Sequence, residues 1–166
     1  MKKAGESIHK QEPAKINQEV LDRVTPENAS ILVILSRQRA YLMLNDEIAV
    51  DTPVSTGKRS RATPPGKFAV QEKDADHRSN LYGDFVDSRG RVVRAGVSSR
   101  VDSAPSGTRF EGAPMKWFLR VNGAIGIHVG ILPGYPASHG CIRMPSSIAP
   151  LFYKKVKLGT PVEIQP

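Results

Sequence analysis

The sequence predicts a mainly β fold, a mixed β-sandwich with one short helix near the C-terminal end. Apolar runs are short and recur between turn formers, at Ile31–Leu35, Ala40–Leu44 and Ile48–Ser55. That spacing suits a meander of strands rather than a bundle of helices. The 14 glycines and 13 prolines in 166 residues point the same way, because both punctuate chains into turns. A charged content of 24% is that of a globular chain, and the length suffices for one domain with its own core.

Residues 1–28 read as a polar N-terminal tail or linker, and residues 29–166 as the folded domain. Within the tail, Ile16, Val20, Leu21 and Val24 have the spacing of a small amphipathic helix. Met1-Lys2-Lys3 carries the charge of an export leader, but Ala4–His9 is no apolar segment. The expectation is that any export signal has been removed or lies outside this sequence. The longest strongly apolar run, Ile31–Leu35, is far too short to cross a membrane.

The domain opens with strands at Ile31–Leu35, Ala40–Leu44 and Ile48–Ser55, joined by the polar turns Ser36–Arg39 and Asn45–Glu47. A loop of turn formers and basic residues follows, from Thr56-Gly57-Lys58 to Thr63-Pro64-Pro65-Gly66, and Lys67–Val70 resumes a strand. Residues 73–112 read as a long exposed excursion containing one hairpin, with Arg91–Ala95 as its strand. Loops of that length often serve as lids, with Tyr82 and Arg109 as lid candidates. Pro114–Val121 and Gly123–His128 read as strands, and Ile131–Ala137 as a loop that bends back. Pro145-Ser146-Ser147 is expected to cap a helix over 148–156, where Pro150 is tolerated in the first turn. Gly159 ends that region before a closing strand at 161–164.

The chemistry centres on Ser138-His139-Gly140-Cys141-Ile142-Arg143, which holds the only cysteine. One thiol makes no intrachain disulfide. A free cysteine is often just a small buried hydrophobe. Here Gly140 permits an unusual backbone, His139 and Arg143 are polar neighbours, and a helix is expected a few residues on. Cations, imidazole and a helix N-terminus all favour a thiolate, the reactive form. The net charge of +8 suits an anionic partner: nucleic acid, anionic lipid or an acidic wall polymer. The basic residues are scattered, with no basic helix, which speaks against nucleic acid. His9 and His77 have no ligand-like spacing to other candidate ligands, so no metal is expected. No phosphate-binding glycine loop opens a helix, so no nucleotide or other cofactor is expected.

The Ser138–Arg143 stretch, preceded by Ile127-His128, resembles the active-site motif of the L,D-transpeptidase family (the YkuD-type catalytic domain). The resemblance extends more loosely over residues 29–164, through Thr56-Gly57, Thr63-Pro64-Pro65-Gly66-Lys67-Phe68 and Gly159-Thr160-Pro161-Val162. It implies a sandwich of that family's type, with the short helix after the nucleophile. It implies Cys141 as nucleophile and His128 as base. It implies an oxyanion hole from the backbone N–H of Cys141 with that of Gly140 or His139, and supporting roles for Ser138 and His139. Arg143 would steady the loop or meet a substrate carboxylate. Tyr135 and Trp117 would wall the cleft, although core packing is the commoner role for such aromatics. The cleft itself would lie between the 125–143 segment and the 73–112 excursion. The family often has Gly or Ser directly after the histidine, and this chain has Val129, so the group that orients His128 is left open.

The activity implied is peptidoglycan L,D-transpeptidation in the cell envelope, periplasmic or extracytoplasmic. Its partners are stem peptides, with an envelope lipoprotein as another acceptor. Carbapenem β-lactams would acylate Cys141. The alternatives are an L,D-carboxypeptidase or amidase that hydrolyses the same acyl-enzyme, a non-catalytic wall-binding module, and a cytosolic cysteine hydrolase.

Overall fold

The computed structural model describes residues 10–166. Met1–His9 lie outside the described residues, and with them the leader-like start and His9. The elements in chain order are β1 (Lys15–Ile16), α1 (Gln18–Arg23), β2 (Ala29–Ile34), β3 (Arg39–Leu44), β4 (Glu47–Pro53) and β5 (Gly66–Ala69). There follow β6 (Glu72–Val86), β7 (Val92–Ser98), β8 (Arg109–Asn122), β9 (Ile125–Val129), β10 (Ile142–Met144), α2 (Ala149–Lys155) and β11 (Pro161–Gln165). The chain divides into two compact units, one of residues up to Asp74 together with Trp117–Pro166, the other Ala75–Lys116.

In the first unit, one sheet runs β1-β4-β3-β2-β11-β5. The expected meander is β2-β3-β4, antiparallel throughout, and β11 pairs in parallel with β2, which makes the sheet mixed. Strands β10 and β9 pair in parallel, and β9 pairs antiparallel with β8. Ile31, Val33 and Leu42 of the one sheet share a buried cluster with Leu119, Ile127, Ile142 and Met144 of the other and Phe152 of α2. This is the expected mainly β sandwich. Each large side chain so buried contributes about 1.5–3 kcal/mol.

The described part of the expected tail is built into this core. Asn17 caps α1 by accepting the Val20 N–H on its side chain. Val20, Leu21 and Val24 are buried in the same cluster, and the Lys155 ammonium of α2 donates to the Val24 carbonyl at 3.1 Å. The expected small amphipathic helix is present as α1, and its apolar residues pack into the core.

Two further expectations are corrected. Pro145-Ser146-Ser147 supplies no side-chain cap to α2, whose cap residue is Ile148. Cys141 does not adjoin the helix N-terminus either, because β10 intervenes before α2 begins at Ala149.

The second unit is strand rather than loop. Within it β6 and β7 pair antiparallel, with Tyr82 opposite Ser98 and Gly83 opposite Val97. Phe85 and Phe110 meet edge to face at 6.3 Å. A Cβ on Gly83 would stand 2.1 Å from the Glu111 carbonyl oxygen, and one on Gly112 1.9 Å from that of Ser79, so backbones cross there too closely for side chains. The excursion thus contains parts of three strands where one hairpin was expected. Tyr82 lies on β6 in this ladder. Arg109 donates to the Asp87 carbonyl at 3.1 Å and faces Glu111 at 3.7 Å.

Candidate active site

Parallel pairing of β9 with β10 sets Ile127 opposite Ile142 and His128 opposite Arg143. Ile127 and Ile142 turn into the core. Side chains alternate along a strand, so His128 and Arg143 face the other way, and Cys141 stands immediately before β10. The register therefore sets the sequence-predicted base opposite the arginine, with the predicted nucleophile two residues before that arginine.

The loop carrying Cys141 is held by the segment after β4. Ser55 and Arg143 exchange both backbone hydrogen bonds, at 3.0 and 2.9 Å. The N–H groups of Ala137 and Ser138 both donate to the Thr56 carbonyl at 3.0 Å, and the Lys58 N–H donates to the Ser138 carbonyl at 2.9 Å. The Ser55 hydroxyl donates to the Tyr135 carbonyl at 2.8 Å. Gly57 is required at this crossing: a Cβ there would lie 2.1 Å from the Arg61 carbonyl oxygen and 2.9 Å from the Gly140 Cα. Thr63 closes the arrangement. Its hydroxyl donates to the Gly140 carbonyl at 2.6 Å and accepts the Gly57 N–H at 2.9 Å. Behind it, Gln38 donates to the Thr56 hydroxyl at 2.8 Å and accepts the Thr56 N–H at 3.0 Å.

Ser138 shapes the turn into Cys141. Its hydroxyl donates to the Cys141 carbonyl and accepts the Gly140 N–H at 3.1 Å. Gly140 has φ +127°, a conformation other residues rarely adopt.

The Cys141 Sγ lies 3.7 Å from the Ala124 carbonyl oxygen. Burial pushes its thiol up, while the Gly126 N–H and the charges of Arg120 and Arg143 act in the opposite direction. Burial prevails, so the thiol is harder to ionise than an ordinary one. This corrects the expectation of a thiolate favoured by its surroundings. Gly126 itself must lack a side chain, since a Cβ would stand 2.3 Å from the Phe118 ring.

His128 is buried, 7% exposed, with its Nδ1 2.7 Å from the Val129 carbonyl oxygen. A carbonyl only accepts, so in the neutral ring Nδ1 carries the hydrogen and Nε2 is left as the acceptor. The orienting group left open by Val129 is thus that residue's own backbone. The Phe118 ring, 6.3 Å away between centroids, lies alongside the imidazole.

His139 is exposed on the loop. Desolvation and the charges of Lys58, Arg143 and Arg61 hold its pKa below the ordinary imidazole value. Arg143 lays its side chain over Gly130, where a Cβ would meet Cγ at 2.6 Å, and its guanidinium donates to the Ile131 carbonyl at 3.4 Å. Tyr135 enters through its carbonyl. Trp117 packs against α2, its ring edge-on to Tyr153 at 5.1 Å with the Lys154 ammonium 5.7 Å from its centroid.

Sequence reasoning missed Arg120. It pairs with Glu72 at 2.6 Å, donates to the Gly123 carbonyl at 2.7 Å and lies 5.0 Å over the Phe118 ring. Its place opposite Gly126 follows only from the β8–β9 register. Gln38, Ser55 and Thr63 were likewise missed, because a hydroxyl or amide far off in sequence carries no local sign of its partner. Among the described residues no group of three or more His, Cys, Asp or Glu could hold a metal, and no helix is long and apolar enough to cross a membrane.

The L,D-transpeptidase catalytic domain family (YkuD) matches residues 28–164. No curated protein matches the chain. Among solved structures, an L,D-transpeptidase from Mycobacterium smegmatis is similar, with 20% identity, a TM-score of 0.62, and cover of 84% of this chain and 59% of that one. One from Stackebrandtia nassauensis gives 18% identity and a TM-score of 0.62, covering 87% and 60%. An L,D-transpeptidase mutant from Enterococcus faecium gives 24% and 0.57, covering 82% and 49%. The chain therefore spans about half to three fifths of the length of these structures. The likeness to them is one of fold, and the match over residues 28–164 carries the assignment: this chain belongs to the L,D-transpeptidase catalytic domain family.

Proposed function

We propose that the chain is a peptidoglycan L,D-transpeptidase that works through a Cys141 thioester. The observation that carries this is the fixed tautomer of His128. Its Nδ1–H is held on the Val129 carbonyl, and its strand pairs with the one that directly follows Cys141. In the first step His128 Nε2 takes the Sγ proton as sulfur attacks the carbonyl of the donor's third residue. The amide C–N bond breaks, the leaving D-Ala amine takes the proton from His128, and a thioester remains. In the second step an acceptor amine attacks the thioester, its proton passes to His128, and the thiol is regenerated. The oxyanion falls to the N–H groups of Cys141 and His139, because that of Gly140 is engaged by Ser138.

A thiol raised by burial fits proton transfer concerted with attack rather than a preformed ion pair. Arg143 supports binding of an anionic stem peptide. Action on peptidoglycan places the protein outside the cytoplasm.

The test is product analysis with a disaccharide-tetrapeptide donor, with and without an amine acceptor. Transpeptidation predicts release of D-Ala and joining of the acyl group to the amine. Disaccharide-tripeptide as the sole product, whatever the acceptor, would make the protein an L,D-carboxypeptidase on the same residues.

A further inference from the structure

Resting on the transpeptidase reading, we infer that Lys58 and Arg61 form a carboxylate-reading rim that selects donors carrying a free carboxylate on the acyl side of the scissile bond. They lie in and beside the short 3-10 turn Arg59–Arg61, and their backbone is part of the nucleophile loop's support. The Lys58 N–H holds the Ser138 carbonyl at 2.9 Å, the Arg61 N–H closes the turn on the Lys58 carbonyl at 2.8 Å, and Gly57 pairs with Ser138 across the bridge. These cations are thus anchored to the Ser138–Cys141 turn by main chain, and their side chains remain exposed.

The two segments that build the site carry no acid to neutralise them. No Asp or Glu occurs from Thr52 to Gln71, nor from Asn122 to Val162, the two segments that build the site. Among the described residues Lys58, Arg59 and Arg61 form no ion pair, whereas the arginines at 23, 39, 78, 91, 94, 109 and 120 all do. A set of fixed cations without an internal partner, beside a nucleophile, is complementary to an anionic substrate. Lys58, Arg61 and Arg143 all act on the His139 ring, which locates their common field at the nucleophile loop. Arg59, an exposed cation in the same turn, serves as a control for charge alone.

The experiment compares kcat/KM for a disaccharide-tetrapeptide with that for two otherwise identical donors. One is amidated at the third-residue side-chain carboxyl, the other at the free carboxyl of the second residue. Wild type is expected to prefer the acid over at least one amide. In K58Q/R61Q that preference falls by about tenfold, as expected for two partly exposed charge contacts. Raising the salt erodes it more in wild type than in the double variant. R59Q keeps the wild-type ratio. Thermal melting confirms that the variants are folded. An acid-to-amide ratio unchanged in K58Q/R61Q, or lowered equally by R59Q, would overturn the inference while the transpeptidase reading stood. Absence of turnover by wild type on every donor would instead sink that reading.

Discussion

The proposed catalytic pair is set by atoms rather than by residue types alone. Val129 takes the place where the family often has a small residue, and its side chain packs against the core. Its carbonyl does the orienting, a function any residue there could serve. The sequence could nominate Cys141, in a dense motif, and His128 upstream of it as the proposed pair. It could not reveal the ionisation of the thiol, because the burial that raises it comes from chain far away. The direction of that shift makes a prediction. The thiolate is the form that reacts with iodoacetamide, so a raised pKa places the midpoint of the rate–pH profile of Cys141 above that of an ordinary thiol. Arg120→Gln removes one charge that favours the thiolate, and the midpoint is expected to rise further. A midpoint below the ordinary thiol range would contradict the electrostatics described above. A carbapenem is expected to add covalently to wild type and not to Cys141→Ala, as read by intact mass.

At the scale of elements, the site is a crossing of two segments, 55–63 and 135–143, that pair although only residues 142 and 143 belong to a regular strand. The Thr63-Pro64-Pro65-Gly66 signature was legible as a loop. Its purpose was not, since the partner of the Thr63 hydroxyl is the Gly140 carbonyl. Thr63→Val would leave that carbonyl and the Gly57 N–H unsatisfied. The expected cost is about 1–3 kcal/mol of stability. Displacement of the nucleophile turn would lower kcat by up to about 100-fold. Thr63→Ser, which keeps the hydroxyl, should recover most of both, in melting and turnover assays. The strands of Ala75–Lys116 were hidden for a different reason. Residues such as Asp76, Arg78 and Asn80 are exposed, so no apolar alternation marks β6. The hairpin around Arg91–Ala95 was visible because Val92 and Val93 look like a strand, even though both are exposed.

At the scale of the molecule, a mainly β sandwich could be read from short apolar runs and frequent turns, and the meander β2-β3-β4 came out as spaced. The parallel pairing of β11 with β2 could not, because closing chain ends across a sheet leaves no local mark. The status of residues 10–28 was also hidden, since a polar segment with a few apolar residues reads alike as tether or as docked helix. Leu21 decides between these by stability. Leu21→Ala should cost about 2–4 kcal/mol, lowering the melting temperature by roughly 2–4 °C per kcal/mol in a chain of this size. A tether would melt unchanged.

The central claim is that Cys141 carries the acyl group during the reaction. Intact-mass spectrometry of the protein mixed with disaccharide-tetrapeptide, without an acceptor amine, tests it most directly. The account predicts a gain equal to the donor less D-Ala, mapped to Cys141 and absent from Cys141→Ala. An unmodified wild-type protein that nevertheless releases D-Ala throughout the time course, or an adduct that persists in Cys141→Ala, would contradict it.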